Sequence, residues 1–173
     1  MATREIYRGR VIRLSLDEVD LPNGTHCELE VVHHPGGSAV VALNAQGEVC
    51  LLEQYRYVAG GWVWELPAGK HEVGNSPEVT ARCELQEEAG VQAKEWHALG
   101  RVLSSPGVFA EVIHLYLATA LSPVASAHES EEVIRVHWQP LEEACERALK
   151  GEFTDAKTII GLLRARDYLQ FTP

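Results

Sequence analysis

Three carboxylates lie within five residues of the sequence, at Glu84, Glu87 and Glu88. Residues three and four apart are neighbours on a helix, so all three would project from one helix face. Such a group repels itself unless a cation lies between its oxygens. Hard oxygen ligands at this spacing suit Mg²⁺, which keeps several waters and accepts phosphate oxygens as further ligands. The alternative interpretation is a solvated acidic helix face.

The residues around these carboxylates predict a helix with defined ends. Ser76 can cap its N-terminus, Pro77 suits the first helical position, and Glu78 lies near the positive end of the helix dipole. Gly90, followed by Val91, predicts where the helix stops. The apolar residues do not leave the acidic face outermost, and a glycine-containing loop comes just before the helix. These two features favour a metal site formed by the helix and the loop.

The stretch from Gly69 to Val91 resembles the Nudix box, G-x5-E-x7-R-E-U-x-E-E-x-G-U, in which U is a bulky aliphatic residue. The positions that match in register are Gly69, Glu84, Leu85, Glu87, Glu88, Gly90 and Val91. Asn75 replaces the first Glu of the box, and Cys83 replaces its Arg. In the family these two residues hold the loop to the helix electrostatically. Because both are replaced, no unpaired charge is left, and we expect weaker support for the site rather than its loss.

The resemblance implies a metal-dependent hydrolase. Glu84 and Glu88 would be the main metal ligands, Glu87 would assist, and the backbone carbonyl of Ala68 would complete the site. The expected ion is Mg²⁺, with Mn²⁺ as a substitute. Metal ions at such a site neutralise the charge of a pyrophosphate and position a water for in-line attack on phosphorus.

Outside the box, most of the chain resembles the ADP-ribose/ADP-sugar pyrophosphatase branch of the family. The segments that carry this similarity are Leu51–Tyr57, Trp64–Gly69, Ser105–Gly107, Trp138–Ala144 and Asp155–Thr158. The similarity implies a small-molecule nucleoside diphosphate substrate, with ADP-ribose split into AMP and ribose 5-phosphate as the leading reaction. Two alternatives stay open. One is a Nudix hydrolase of GDP-mannose, a dinucleoside polyphosphate or an oxidised nucleotide, and the other is an ADP-ribose-binding module without turnover.

Five residues are predicted substrate contacts: Arg56, Glu65, Ser105, Gly107 and Glu111. The planar guanidinium of Arg56 suits a phosphate or the adenine site, or else an ordinary surface ion pair. The turn at Ser105 and Gly107 would bring backbone amides to the substrate, and without the family context it is simply a turn. Glu111 is interpreted either as a group that orients the substrate or as a charge at a strand edge.

A general base must take the proton of the attacking water. The acidic loop Ala127–Glu132 lies where this branch carries that carboxylate, and Glu129 and Glu131 are both candidates. Glu87 on the helix is the third predicted catalytic carboxylate. Without the resemblance, the loop would be interpreted as a solvated acidic segment.

Composition limits the class of protein. The 173 residues, 46% of them hydrophobic, are enough for one well-filled core. The formal net charge of −10 argues against a nucleic-acid partner, which would require clustered Lys and Arg. No apolar run approaches the roughly 18 residues of a membrane span. The four cysteines are Cys27, Cys50, Cys83 and Cys145. They show no CxxC spacing and are predicted to be reduced thiols, so we expect a cytoplasmic protein without a membrane partner.

The elements that must position these residues predict an α+β fold, an α/β/α sandwich of the Nudix type with helices flanking a mixed β-sheet. Strands are predicted at Val11–Val19, Cys27–His33, Ser38–Leu43, Glu48–Tyr55, Trp96–Val102, Glu111–Ala118 and Val133–Trp138, and two further helices at Leu141–Leu149 and Thr154–Leu169. The segment Gly60–Gly69 is strand-like and ends in a Pro/Gly loop. The strands Ser38–Leu43 and Glu48–Tyr55 are predicted to form a hairpin across a polar turn.

The predicted organisation is an N-terminal antiparallel β-segment at residues 1–37 and a Nudix catalytic domain at residues 38–173. By the resemblance, the chain forms a homodimer in which this segment packs across the partner and helps build its substrate pocket. The tandem His33 and His34 point to opposite faces of a strand and are predicted to be structural. Trp62 and Trp64 share one strand face, as part of a core or of a dimer interface.

Overall fold

The computed structural model describes residues 2–127 and 132–171. The chain divides into two compact units. The first unit contains the residues up to Gly36 together with Leu103–Val112, and the second contains Gly37–Val102 together with the chain from Ile113 onwards. The predicted roles of residues 1–37 in dimer formation and of residues 38–173 in catalysis remain predictions.

The first unit is an antiparallel meander with one short added strand. Strands β1 (Thr3–Arg8), β2 (Arg13–Asp20) and β3 (His26–His33) pair in sequence order, and β9 (Phe109–Ala110) runs parallel to β3. The turn between β2 and β3 contains Gly24, whose φ of 83° lies in the region that favours glycine. This confirms the predicted N-terminal antiparallel segment.

The second unit contains two sheets. One has the order β7-β4-β10-β8, where β4 (Gly37–Ala42) pairs parallel with β10 (Val112–Pro123) and antiparallel with β7 (Ala68–Lys70), and β8 is Val91–Leu103. The other has the order β11-β5-β6 and is antiparallel, formed by β5 (Glu48–Arg56), β6 (Gly61–Glu65) and β11 (Ile134–Pro140).

The predicted hairpin between Ser38–Leu43 and Glu48–Tyr55 is wrong. The polar turn forms, since Asn44 Oδ1 accepts from the backbone N–H groups of Gln46 and Glu48, but β4 and β5 share only one bridge and belong to different sheets. The strand-like part of Gly60–Gly69 forms β6 and ends before Pro67, and the predicted Pro/Gly loop after it continues as the short strand β7. Proline has no N–H to donate to a ladder, and its carbonyl accepts from Val40 N at 2.9 Å instead.

Helices cover both faces of these sheets. Helix α1 (Pro77–Ala89) packs Ala81 and Leu85 with Val40 of β4. Helices α2 (Leu141–Leu149) and α3 (Ala156–Phe171) pack in a separate cluster that contains Val41, the next residue of the same strand, and Leu162. Because successive strand residues point to opposite faces, the sheet lies between the helices, as in the predicted α/β/α sandwich. Within the described ranges, no helix is long and apolar enough to cross a membrane.

Candidate active site

Glu88 lies buried in the last turn of α1, with 2% of its surface exposed. Its Oε2 accepts a hydrogen bond from the backbone N–H of Ala68 at 2.7 Å. Burial raises the pKa of the Glu88 carboxyl to about 8, and the charges of Glu84 and Glu132 act in the same direction. The Ala68 N–H and the charge of Arg56 oppose the rise without cancelling it. A buried carboxylate under this repulsion is the kind of group that a divalent cation stabilises.

Glu84, one turn earlier on α1, is half-buried and lies against the same short strand, β7. A Cβ built at Gly69 would overlap the Glu84 carboxylate, so only a glycine lets the side chain come this close to the main chain. Glu84 and Glu88 therefore contact neighbouring residues, Gly69 and Ala68, of one strand. The helix and the loop meet here, as the Nudix-box interpretation predicts.

Glu87 is exposed on α1, where its side chain faces solvent. Its backbone carbonyl accepts from Ala127 N at 3.1 Å, and the carbonyl of Gly90 accepts from Val124 N at 2.9 Å. The chain that leaves β10 is thus held to the C-terminal end of α1. The two predicted general bases, Glu129 and Glu131, lie outside the described residues.

Just before Ala68 in the sequence, Glu65 is surrounded by a second group of charges and is 4% exposed. Arg56 makes a two-point contact with it, Nε to Oε1 at 2.7 Å and Nη2 to Oε2 at 3.0 Å. Lys157 Nζ contacts Oε2 at 2.5 Å. Burial alone would raise the pKa of Glu65, but Arg56 and Lys157 outweigh burial and lower it. Glu65 is therefore held as a carboxylate between two cations.

Sequence reasoning missed Lys157, Thr158 and Asp155 as members of the site. Thr158 Oγ1 accepts from the backbone N–H of Leu66 at 2.8 Å and donates to Asp155 Oδ2 at 2.6 Å. Asp155 also accepts from Thr158 N, which caps the start of α3, and contacts Lys157 Nζ at 3.0 Å. The Asp155–Thr158 segment stands out in the sequence only through its family likeness. What was not visible in the sequence is its pairing with Glu65 and Leu66, some 90 positions away.

Three predicted substrate contacts belong to the first unit. Glu111 pairs with His34 Nδ1 at 2.8 Å, and both side chains are 15% exposed. Ser105 lies in an exposed turn, its carbonyl accepting from Phe109 N at 2.8 Å, and Gly107 is exposed in the same turn. His33 Nε2 contacts the buried Ser15 Oγ at 2.8 Å, so both histidines have structural partners.

The first unit also contains a basic cavity of about 340 Å³, lined by Arg8, Gly9, Arg10, Val11, Ile12, Arg13, His33, His34 and Pro35.

The donor set fits a hard divalent cation that keeps part of its water. Across residues 2–127 and 132–171, no group of three or more His, Cys, Asp or Glu side chains is placed to hold a metal ion. What the site offers is two carboxylates, Glu84 and Glu88, beside the main chain of Ala68 and Gly69. Mg²⁺ is commonly bound in this way, by one or two carboxylates with water and substrate phosphates as the other ligands.

The acidic helix α1, the short strand β7 beside it and the α/β/α sandwich match the arrangement that the Nudix-box resemblance predicts for a metal-dependent hydrolase. The profile of the NUDIX domain matches residues 33–161. The chain belongs to the Nudix family.

Several relatives match nearly the whole chain. It is 38% identical to the methanol dehydrogenase activator of Bacillus methanolicus, over 97% of this chain and 90% of that protein. It is 37% identical to the ADP-ribose pyrophosphatase of Mycobacterium tuberculosis, over 94% and 80% respectively. With the ADP-ribose pyrophosphatase of Bacillus subtilis the identity is 36%, over 98% and 94%. A crystal structure of an ADP compounds hydrolase has a TM-score of 0.84 at 20% identity, over 98% of this chain and 92% of that one, which confirms the predicted fold.

Proposed function

We propose that this enzyme hydrolyses the pyrophosphate bond of ADP-ribose to give AMP and ribose 5-phosphate, with Mg²⁺ as its metal and Mn²⁺ as a substitute. The observation that carries the proposal is the meeting of Glu84 and Glu88 at Ala68 and Gly69. Two of the relatives matched over most of the chain are ADP-ribose pyrophosphatases, which supports the choice of substrate.

Glu84, Glu88 and the carbonyl of Ala68 would hold the metal, and Glu87 would assist from the exposed side of α1. When bound, the ion supplies positive charge to the pyrophosphate oxygens and makes a bound water easier to deprotonate. Glu88 must be ionised to act as a ligand, and the Ala68 N–H favours that state through its hydrogen bond to Oε2. The backbone of one short strand thus orients a carboxylate and supplies a carbonyl ligand.

Arg56 and Glu65 would form the adjoining substrate contact. Arg56 is 40% exposed, and only Nε and Nη2 are directed at Glu65. A guanidinium has five N–H donors, so the remaining ones can reach a phosphate or the adenine. Lys157 helps to keep Glu65 ionised, which fixes the orientation of the Arg56 side chain.

The general base would come from the loop after β10, with Glu129 and Glu131 as the candidates. The start of this loop is held to α1 by the hydrogen bond from Ala127 to Glu87. At its other end, Glu132 is close enough for its charge to raise the pKa of Glu88. Both ends of the acidic loop therefore lie near the proposed metal ligands, which supports a carboxylate from the loop as the group that takes the water proton.

The first unit would complete the enzyme as part of a homodimer, packed across a second copy of the chain. Its edge strand β1 is exposed along its whole length, and Ile6 and Tyr7 are about half exposed. The basic cavity would favour an anionic ligand, because its lining contains arginines and no acidic residue. Ser105, Gly107 and Glu111 are proposed substrate contacts of this unit.

The test is AMP release from ADP-ribose by the purified enzyme with and without Mg²⁺. We expect metal-dependent release of AMP, and a loss of several orders of magnitude in kcat for Glu88→Gln. Glu146→Gln, which removes an exposed carboxylate paired with Lys150 on α2, is the matched control and should retain activity. Full activity in Glu88→Gln would contradict the metal site.

A panel of GDP-mannose, dinucleoside polyphosphates and oxidised nucleotides, ranked by kcat/KM, tests the substrate. ADP-ribose should rank first. A higher rank for another nucleotide would identify a different Nudix hydrolase. Tight binding of ADP-ribose without AMP release at saturating Mg²⁺ would identify a binding module instead.

A further inference from the structure

Ser38 lies buried between β7, the strand that contacts Glu84 and Glu88, and the first residue of helix α1. It is 1% exposed, and across the sheet it pairs with Gly69 of β7 on one side and with His114 of β10 on the other. Its Oγ lies 2.9 Å from Nε2 of His71 and donates to the backbone carbonyl of Pro77 at 2.7 Å. One hydroxyl thus joins the residue that follows β7 to the first residue of α1.

The proton count fixes the direction of these hydrogen bonds. A serine hydroxyl has one proton, and the Pro77 carbonyl can only accept. Because Ser38 gives its proton to Pro77, it must accept from His71, so Nε2 of His71 carries hydrogen. The two contacts therefore form one chain of hydrogen bonds, from His71 through Ser38 to Pro77.

This chain spans the loop that separates the two halves of the metal site. The strand before the loop contacts Glu84 and Glu88, and the helix after it carries them. Two loop and helix positions that could have held an ion pair, Asn75 and Cys83, are both exposed and uncharged. The hydrogen bonds of Ser38 provide a link between strand and helix that needs no charged pair.

The ring of His114 packs beside the imidazole of His71. The two rings are 5.6 Å apart with an interplanar angle of 49°. Burial lowers the pKa of His114, and the charges of His71 and Arg101 lower it further. A neutral His114 is thus compatible with the close packing of the two rings beside Ser38.

We propose that His71 and Ser38 are positioning residues that set the distance between β7 and α1, and so align Glu84 and Glu88 with the Ala68 carbonyl. The inference rests on the proposed metal site. Residues that orient metal ligands characteristically change metal affinity when they are mutated, even though they do not touch the ion.

The test uses variants of the full chain that separate the two hydrogen bonds. Ser38→Ala removes both bonds, and His71→Leu removes only the donor to Ser38. His71→Gln keeps an N–H donor and is the conservative rescue. His26→Leu is the matched control, since His26 is an exposed histidine of β3 that pairs with Asp20.

The main measurement is the affinity for Mn²⁺, determined from the electron paramagnetic resonance signal of the free ion. This measurement requires no turnover. Ser38→Ala and His71→Leu should each weaken Mn²⁺ binding roughly tenfold, with His71→Gln and the control within about threefold of the unchanged chain. The double variant of Ser38→Ala and His71→Leu should bind no worse than Ser38→Ala, because the two changes break one chain of hydrogen bonds. At saturating metal, KM for ADP-ribose should stay nearly unchanged.

Nitrogen-15 NMR of the histidine ring independently checks the direction of the hydrogen bond between His71 and Ser38. His71 should carry hydrogen on Nε2 in the unchanged chain, and the Nε2 resonance should shift in Ser38→Ala because its hydrogen bond to Ser38 is lost. Mn²⁺ affinity that stays within about twofold in both Ser38→Ala and His71→Leu would overturn the inference, as would equal losses in His71→Gln and His71→Leu. If the unchanged chain binds Mn²⁺ but leaves ADP-ribose intact, the proposed substrate fails while the positioning role is still decided by the Mn²⁺ data.

Discussion

The carboxylate of Glu84 lies against the α-carbon of Gly69. Any side chain at residue 69 would overlap Cδ and both oxygens of that carboxylate. Gly69 also pairs with Ser38 in the neighbouring strand, so its backbone cannot move away without breaking the sheet. Glycine is needed here for the close approach of a metal-site carboxylate to the main chain, and not for an unusual backbone conformation.

Gly69→Ala should therefore displace Glu84 and lower metal-dependent turnover. We expect a loss of about 100-fold in kcat/KM, since a shift of about 1 Å in an active-site group has effects of that size. Gly61→Ala is the matched control, because a Cβ at this strand residue meets no atom within 4 Å. Circular dichroism would establish that both variants fold. Normal kcat/KM in Gly69→Ala would show that the Glu84 carboxylate has no fixed role.

The metal-free enzyme should become less stable as pH rises from about 4.5 to about 8. Burial raises the pKa of Glu88 to about 8 from its ordinary value of 4.5, with Glu84 and Glu132 adding to the rise. In this window the folded state keeps a proton that the unfolded state has released, so the free energy of unfolding falls with pH. Above about pH 8 both states have lost the proton, and this contribution is gone.

Thermal unfolding in EDTA at a series of pH values measures this effect. Glu88→Gln should flatten the fall in Tm, because its side chain does not titrate. Saturating Mg²⁺ should reverse the fall, since the ion binds the ionised carboxylate of the folded state. Identical Tm profiles for Glu88→Gln and the unchanged chain in EDTA would contradict the assignment.

The local elements could be predicted from the sequence, and the pairing of strands could not. Ser76 and Gly90 define the ends of α1 through short-range capping, and both act as predicted. The hairpin prediction failed because alternation and a polar turn describe a strand and its neighbour in sequence. The partners of β4 are instead β7 and β10, about 30 and 75 positions away. Parallel pairing of this kind depends on tertiary packing, which leaves no local signal.

The site was predictable where its residues lie within one motif. The spacing of Glu84 and Glu88 placed both on one helix, and the structure brings both to β7. Lys157 was not predictable, because its role depends on a contact with Glu65 in a different part of the sequence. His71 and Ser38 were missed for the same reason. Each is an ordinary residue until the sheet brings them together.

Lys157→Met should destabilise the fold through Glu65. The pair is largely buried, with side-chain exposures of 15% and 5%, so its loss leaves a buried carboxylate with Arg56 as the remaining cation. We expect a loss of about 1–3 kcal/mol in the free energy of unfolding at neutral pH. Lys150→Met is the control, because its pair with Glu146 is 65% exposed on both sides.

The same pair of variants can be compared by urea unfolding. Lys150→Met should change the free energy of unfolding by less than about 0.5 kcal/mol, as is usual for exposed ion pairs. Since Lys157 lowers the pKa of Glu65, its removal should raise that pKa, and the destabilisation should shrink as the pH falls and Glu65 becomes protonated. If Lys157→Met and Lys150→Met lowered the free energy of unfolding equally, the burial of Glu65 would not make its ion pair with Lys157 more stabilising than an exposed pair.

Ile6→Glu should convert a homodimer to monomers without unfolding the first unit. β1 is an edge strand with all six residues exposed, and an exposed apolar edge is a surface that another chain can cover. Ile6 has no register partner in β2, because the register shifts between Glu5 and Tyr7, so the substitution leaves the ladder in place. Light scattering should give twice the mass of one chain for the unchanged protein and for Leu149→Glu, an exposed control on α2. A dimer that persists in Ile6→Glu would place the interface elsewhere.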